Sequence, residues 1–174
     1  METTTTPVST TSVGLRYGLL TGLVSIIISF GLFVTHQETN PLRYATFMVL
    51  IAGIVLAMNS FKQNNQGFMS FGQGVGIGAM LSAVVGVLSG IFSYVYMSFI
   101  DPDVVSRMTE KIRSDMEARG GMTDEQIDQA MAMSVKFMNG PFTLIAAVLG
   151  TLLVGVILAM VISAFIKNAP PEFE

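Results

Sequence analysis

Long apolar runs alternate with short polar stretches along the chain, and four of these runs are long enough to cross a bilayer. They lie near residues 17–34, 41–58, 72–99 and 141–166. About 17–20 apolar residues in a helix span a hydrocarbon core, and a helix satisfies its own backbone hydrogen bonds there. The pattern therefore predicts four transmembrane helices.

The connections between the runs indicate how these helices are arranged. Residues 36–40 and 60–69 form two short connections, so the helices that they join are expected to be antiparallel neighbours. Asn40 and Pro41 are residues typical of an N-cap and a first helical position. The sequence thus predicts an antiparallel bundle of four helices.

The third connection, about residues 101–140, is a charged insert with eight acidic and five basic side chains. Asp101 and Pro102 are expected to start a helix there, and Thr123 with Gln126 forms a capping-box pattern at the start of another. Apolar residues recur at helical spacing in two stripes: Val105, Met108, Ile112 and Met116, then Ile127, Met131, Val135 and Met138. The insert is therefore predicted to be an amphipathic helical hairpin.

These patterns place the chain among all-α integral membrane proteins. Residues 1–12 are a threonine-rich polar segment, which we expect to be disordered. Residues 13–174 are expected to form one membrane domain, with the amphipathic hairpin between the third and fourth transmembrane helices.

Small residues recur at every fourth position on three of the predicted helices. They are Gly74, Gly78, Ser82, Gly86 and Gly90 on the third, Thr151, Gly155 and Ala159 on the fourth, and Gly18 and Gly22 on the first. Lipid tails do not press helices together, so close backbone approach at small residues must hold them. These ten positions are predicted to be helix-packing residues. A phosphate-binding glycine loop is disfavoured because no strand precedes it and no P-loop lysine follows.

Composition narrows the chemistry that the chain can carry. The sequence is 51% hydrophobic and only 12% charged, and it contains no cysteine and one histidine, His36. The absence of cysteine excludes thiolate chemistry, and the single histidine disfavours a zinc site and a serine triad. Met131 and Met133 could bind Cu(I), and the insert's carboxylates could attract a cation, but packing and ion pairing explain both better. No metal, cofactor or catalytic residue is predicted, and no basic run indicates nucleic acid.

Three features resemble a bacterial membrane family catalogued as domain of unknown function 4199. They are "SFGQG" at residues 70–74, "YVYMSFIDP" at residues 94–102, and the charged helical insert before the fourth apolar run. The likeness covers nearly the whole chain after residue 12. It implies a bacterial cytoplasmic-membrane protein and supplies no catalytic residues.

The predicted function is that of a non-enzymatic membrane protein, embedded in the lipid bilayer, that packs with itself or with partner membrane proteins. A purely structural homo-oligomer is one form of this. The alternative is a small transporter or channel component that uses the glycine-rich third helix. A water-filled cavity lined by Gln73, Ser82 and Thr151 would favour transport, whereas a dry bundle with an exposed stripe of small residues would favour assembly. Arg16 before the first helix favours a cytoplasmic N-terminus, although basic residues in the insert count against it. We expect both termini in the cytoplasm and the insert in the periplasm.

Overall fold

The computed structural model describes residues 9–138 and 141–168, and this part of the chain is almost entirely helical. Its six α-helices are α1 (Thr10–Val34), α2 (Tyr44–Asn64), α3 (Phe71–Val95), α4 (Asp103–Arg119), α5 (Asp124–Met138) and α6 (Pro141–Ile166). A 3₁₀ turn, Pro41–Arg43, leads into α2, and a π-helical turn, Tyr96–Ile100, extends α3.

Four helical segments are long and apolar enough to cross a membrane: Thr10–Val34, Pro41–Asn64, Phe71–Ile100 and Phe142–Ile166. They coincide with the four predicted runs, and two of them are longer than expected. α1 begins at Thr10, where the Ser9 hydroxyl accepts a hydrogen bond from Ser12 N, so residues 10–12 are helical and not a disordered tail. The rest of the expected disordered segment, residues 1–8, lies outside the described residues. α2 continues past residue 58 because Phe61 is buried in the core.

α3 is the helix around which the long helices pack. α6 lies along one side of α3 and α1 along another, while α2 contacts α1, α3 and α6. The main core lies where α2, α3 and α6 meet. It consists of Leu50, Ile54, Ala57, Met58, Phe61, Met69, Ile77, Leu81, Val85 and Ala159.

Hydrogen bonds join α2, α3 and α6 at the end of the molecule opposite the insert. Met69 and Asn168 pair through both backbone N–H groups, at 2.8 and 2.9 Å. Lys62 Nζ donates to the carbonyl oxygen of Ile166 at 2.9 Å. These bonds satisfy backbone groups that the helix ends would otherwise leave open, and they hold α2 close to α6 at this end.

The charged insert forms the two predicted helices, α4 and α5, and α4 packs on a second apolar cluster. In this cluster Phe33, Tyr96 and Val104 are buried, and the rings of Phe33 and Tyr96 lie 4.9 Å apart. The fully buried valine of α4 is Val104, whereas Val105, which the predicted stripe contained, is only half-buried. Met108 of the predicted stripe also packs against this cluster, so the predicted face of α4 meets it, with Val104 as its most buried residue.

Capping boxes start two of the helices. Thr123 and Gln126 make the predicted reciprocal pair: each side chain accepts a hydrogen bond from the other's backbone N–H. Ser70 and Gln73 make the same pair at the start of α3. This second box was not predicted, although its signal, serine followed three residues later by glutamine, lies within the quoted "SFGQG".

Candidate functional site

The predicted small-residue row of α3 faces α6 along its whole length. A Cβ atom built on Gly78 would collide with Cβ of Ala159, and one built on Gly74 would collide with the Ser163 side chain. The two helices run in opposite directions, so a step of four residues along α3 matches a step of four back along α6. The backbones therefore approach too closely for larger residues.

The same register continues toward the insert. The Ser82 side chain lies against Gly155, in the space that a Cβ atom there would need. A Cβ atom on Gly86 would lie 3.0 Å from Cα of Val148 and 3.3 Å from Cβ of Thr151. The glycines of α3 thus make room for side chains of α6, and Gly155 of α6 makes room for the Ser82 side chain of α3. The two rows of small residues therefore interlock.

Gly18 and Gly22 make a different contact, between α1 and α3. A Cβ atom on Gly18 would lie 2.8 Å from Cβ of Val84, and one on Gly22 would lie 2.6 Å from Cδ1 of Leu88. Here larger side chains of α3, Val84 and Leu88, fill the space beside the glycines of α1. The ten residues singled out in the sequence therefore divide between two interfaces of α3, one with α6 and one with α1.

A buried ionic cluster joins the α1–α2 connection to the insert. Arg107 Nε donates to Glu38 Oε1 at 2.6 Å, and Arg107 Nη2 donates to Asp101 Oδ2 at 2.8 Å. The Glu38 side chain is only 2% exposed, and its Oε2 has no hydrogen-bond partner among the described residues. Arg107 therefore neutralises a carboxylate that the fold has removed from water.

The charges of this cluster shift the pKa values of its members. The hydrogen bond from Arg107 holds the pKa of Asp101 below its usual range, and His36, 3.9 Å away, lowers it further. The hydrogen bonds to Asp101 and then Glu38 raise the pKa of Arg107. This cluster was not predicted from the sequence, because Glu38 and Arg107 lie 69 residues apart.

A cleft of about 300 Å³, lined by residues of α1, α2, α3 and α6, lies in the half of the molecule nearer the insert. Five hydroxyl-bearing residues contribute to its lining: Ser25, Ser29, Thr46, Ser89 and Thr151. The transport alternative expected Gln73, Ser82 and Thr151 to line one cavity, but only Thr151 lines this cleft. Ser82 is buried against Gly155, and Gln73 is engaged in its capping box at the other end of α3. Because these three are separated along α3 and α6, they do not form one cavity.

No cluster of three or more histidine, aspartate or glutamate side chains with the geometry of a metal site occurs within residues 9–138 and 141–168. The described site therefore consists of two tight helix interfaces, one ionic cluster and clefts between helices. The interfaces and the ionic cluster hold the helices together.

Comparison with known proteins gives one finding. Residues 16–168 match the family described as "Protein of unknown function (DUF4199)", and the chain belongs to this family. No curated protein and no solved structure matches the chain.

Proposed function

We propose that this member of a family of unknown function is a non-enzymatic integral membrane protein. Its four long apolar segments cross the bilayer as an antiparallel bundle, and the α4–α5 hairpin lies outside the hydrocarbon core. Each segment has the length and composition that a membrane-spanning helix requires. The tight interfaces of α3 with α1 and α6 then hold the bundle together.

The observation that carries this proposal is the distribution of apolar and polar side chains. Ile27, Leu153 and Phe165 point outward and are 70%, 62% and 86% exposed, whereas the hydroxyls of Ser82 and Ser163 are buried. Monomeric soluble proteins rarely expose apolar patches beyond a few hundred Å². Lipid removes the cost of such a surface and leaves small and polar residues for the helix contacts.

The protein's role is to associate with other membrane proteins, either a second copy or a different partner. The interlocking rows are occupied within the chain, since Gly78 faces Ala159 and Gly18 faces Val84. Partner contacts therefore use the outward apolar surface or the insert.

We place both termini in the cytoplasm and the insert in the periplasm, in the cytoplasmic membrane. Arg16, Lys62 and Lys167 lie at the end of the bundle that carries the termini, and Arg16 flanks the first helix, which usually sets the orientation. Six basic residues at the insert end favour the opposite orientation, but we give the first helix more weight. Basic residues beside membrane helices are retained on the cytoplasmic side.

Cysteine labelling tests both the crossing and its direction, since the chain has no native cysteine. Gln63→Cys at the end of α2 and Arg119→Cys in the insert are both exposed positions. A membrane-impermeant maleimide, applied to intact bacterial cells with a permeabilised outer membrane, is expected to label position 119 and spare position 63. The reverse pattern would invert the orientation. Equal labelling of both positions would show that the chain does not span the membrane.

The hydroxyl-lined cleft favours one second candidate, a transporter or channel component. Such a protein needs a hydrated path, and five hydroxyl-bearing residues among the cleft's lining could support one. All four long helices line the cleft, so a shift of one helix against another would change its width.

Water access to the cleft distinguishes the two functions. Ser89 lines the cleft, whereas Val87 lies two residues away on the outward surface of α3. We expect Ser89→Cys to react with a charged methanethiosulfonate no faster than Val87→Cys, because a bundle that serves association is dry. Reaction at position 89 at least tenfold faster would favour transport.

A further inference from the structure

A groove between α1 and α2 runs from the end that carries the termini toward the middle of the bundle. It consists of two adjoining cavities that share Tyr17: a polar one of about 250 Å³ and an apolar one of about 300 Å³. We propose that this groove binds one anionic phospholipid, with its phosphate in the polar cavity and an acyl chain in the apolar one. This inference rests on the membrane embedding proposed above.

The polar cavity has the groups that a phosphodiester needs. Arg16 lines it, together with the hydroxyl-bearing residues Ser12 and Ser60 and the amide of Asn64. Asn64 Nδ2 already donates to the Ser60 carbonyl oxygen at 2.7 Å, which fixes the amide beside the cavity. A guanidinium can donate two parallel hydrogen bonds to phosphate oxygens, and hydroxyls can donate to those that remain.

The described charges around the polar cavity favour an anion. The six described ion pairs all lie at the insert end of the molecule, and Arg16 is not a member of any of them. Lys62 and Lys167 add positive charge at the same end as Arg16. Neutral phosphatidylcholine is expected to bind more weakly at this site, because its choline group brings a positive charge toward these cations.

The apolar cavity lies next to the polar one, and Tyr17 lines both. Its walls come from Leu20 and Val24 of α1 and from Val49, Ala52 and Leu56 of α2. Its floor lies where Thr21 packs against Gly53, a contact that leaves no room for a Cβ atom on the glycine. The small residues Ala52 and Gly53 thus open a channel between two rows of larger apolar side chains.

The length of the groove fits one leaflet. From Arg16 to Val24 the helix rises about 12 Å, at 1.5 Å per residue. Half of a typical hydrocarbon core is about 15 Å thick. A phosphate bound by Arg16 at the headgroup level therefore places its acyl chain along the apolar cavity, in the order that a phospholipid requires. A free phosphate ion would leave this apolar part unused.

Native mass spectrometry of the detergent-purified protein tests the site. Dioleoyl phosphatidylglycerol is expected to bind at least threefold more tightly than dioleoyl phosphatidylcholine. Arg16→Gln should lower phosphatidylglycerol affinity about fivefold, the effect of one basic residue on an anionic headgroup, while Arg16→Lys should retain most of it. Arg43→Gln, which removes an arginine at the opposite end of the bundle, should leave the affinity unchanged.

Two further experiments test whether an acyl chain occupies the apolar cavity and whether the bound phosphate belongs to a lipid. Ala52→Phe fills the apolar cavity and should weaken both lipids, whereas Ala146→Phe on the outward face of α6 should weaken neither. Inorganic phosphate at millimolar concentration should fail to displace phosphatidylglycerol. Any one of four results would overturn the proposal. They are equal affinity for the two lipids, no loss of phosphatidylglycerol affinity in Arg16→Gln, no loss of lipid affinity in Ala52→Phe, and displacement of the lipid by phosphate. If cysteine labelling shows that the protein spans the membrane but the protein binds both lipids equally, the lipid site is refuted and the proposed membrane embedding is not.

Discussion

Replacing Gly78 and Gly86 together by leucine lowers the melting temperature of the detergent-solubilised protein by about 10 °C. Both glycines face α6, where a Cβ atom would collide with Ala159 and would approach Val148 Cα to 3.0 Å. Overpacking a tight contact costs about 1–3 kcal/mol per site, and 1 kcal/mol corresponds to about 2–4 °C for a chain of this size. Leucine forms helix better than glycine, so α3 itself is not weakened. The melting of α-helical circular dichroism measures the change.

The matched control for this variant lies on the same helix. Among the described residues, no atom beyond the adjoining turns of α3 lies within 4 Å of a Cβ built on Gly72 or Gly76, so leucine at these positions meets no neighbouring helix. The Gly72→Leu, Gly76→Leu double variant should melt within about 2 °C of wild type, or slightly above it because of the gain in helix propensity. If both double variants melt alike, the α3–α6 contact does not stabilise the protein.

Replacing Arg107 by alanine releases α4 from the end of the bundle. The substitution leaves the carboxylate of Glu38 buried, with a side chain that is 2% exposed and no remaining cation at hydrogen-bond distance among the described residues. Breaking a buried pair in this way costs about 3 kcal/mol. We therefore expect amide hydrogen exchange across Asp103–Arg119 to accelerate about 100-fold, with little change in α3.

A second arginine of α4 provides the control. Arg113 pairs with Glu117 and Asp128 at the surface, where all three side chains are about half-exposed. Exposed pairs contribute little, so Arg113→Ala should leave the exchange of α4 nearly unchanged. Comparable acceleration in both variants would show that the buried cluster has no special role.

The same cluster makes the docking of α4 sensitive to acid. Arg107 lowers the pKa of Asp101 from its ordinary 3.8 in the folded protein. The stabilisation is therefore fully present above that ordinary value and is lost as the pH falls through the lower, folded-state pKa. Exchange of α4 at a fixed intrinsic rate should stay constant from about pH 8 to pH 5 and should rise below about pH 4.

Features set by residues close in the chain could be predicted from the sequence alone. The length of each apolar run determined where the four long helices lie, because about 20 apolar residues leave no other favourable backbone arrangement in lipid. The Thr123–Gln126 box followed from a spacing of three, and the Ser70–Gln73 box could have been found in the same way. The spacing of four likewise placed Gly74, Gly78 and their neighbours on one face of α3.

Only the tertiary structure decided which faces meet. The four long helices are apolar on all sides, so their sequences carry no amphipathic signal for the direction of the core. The pairing of Gly78 with Ala159, the contact of Gly18 with Val84 and the approach of Arg107 to Glu38 depend on helix rotation and translation. These are fixed by the sum of many weak packing contacts between residues that are distant in the chain, and no local pattern records that sum.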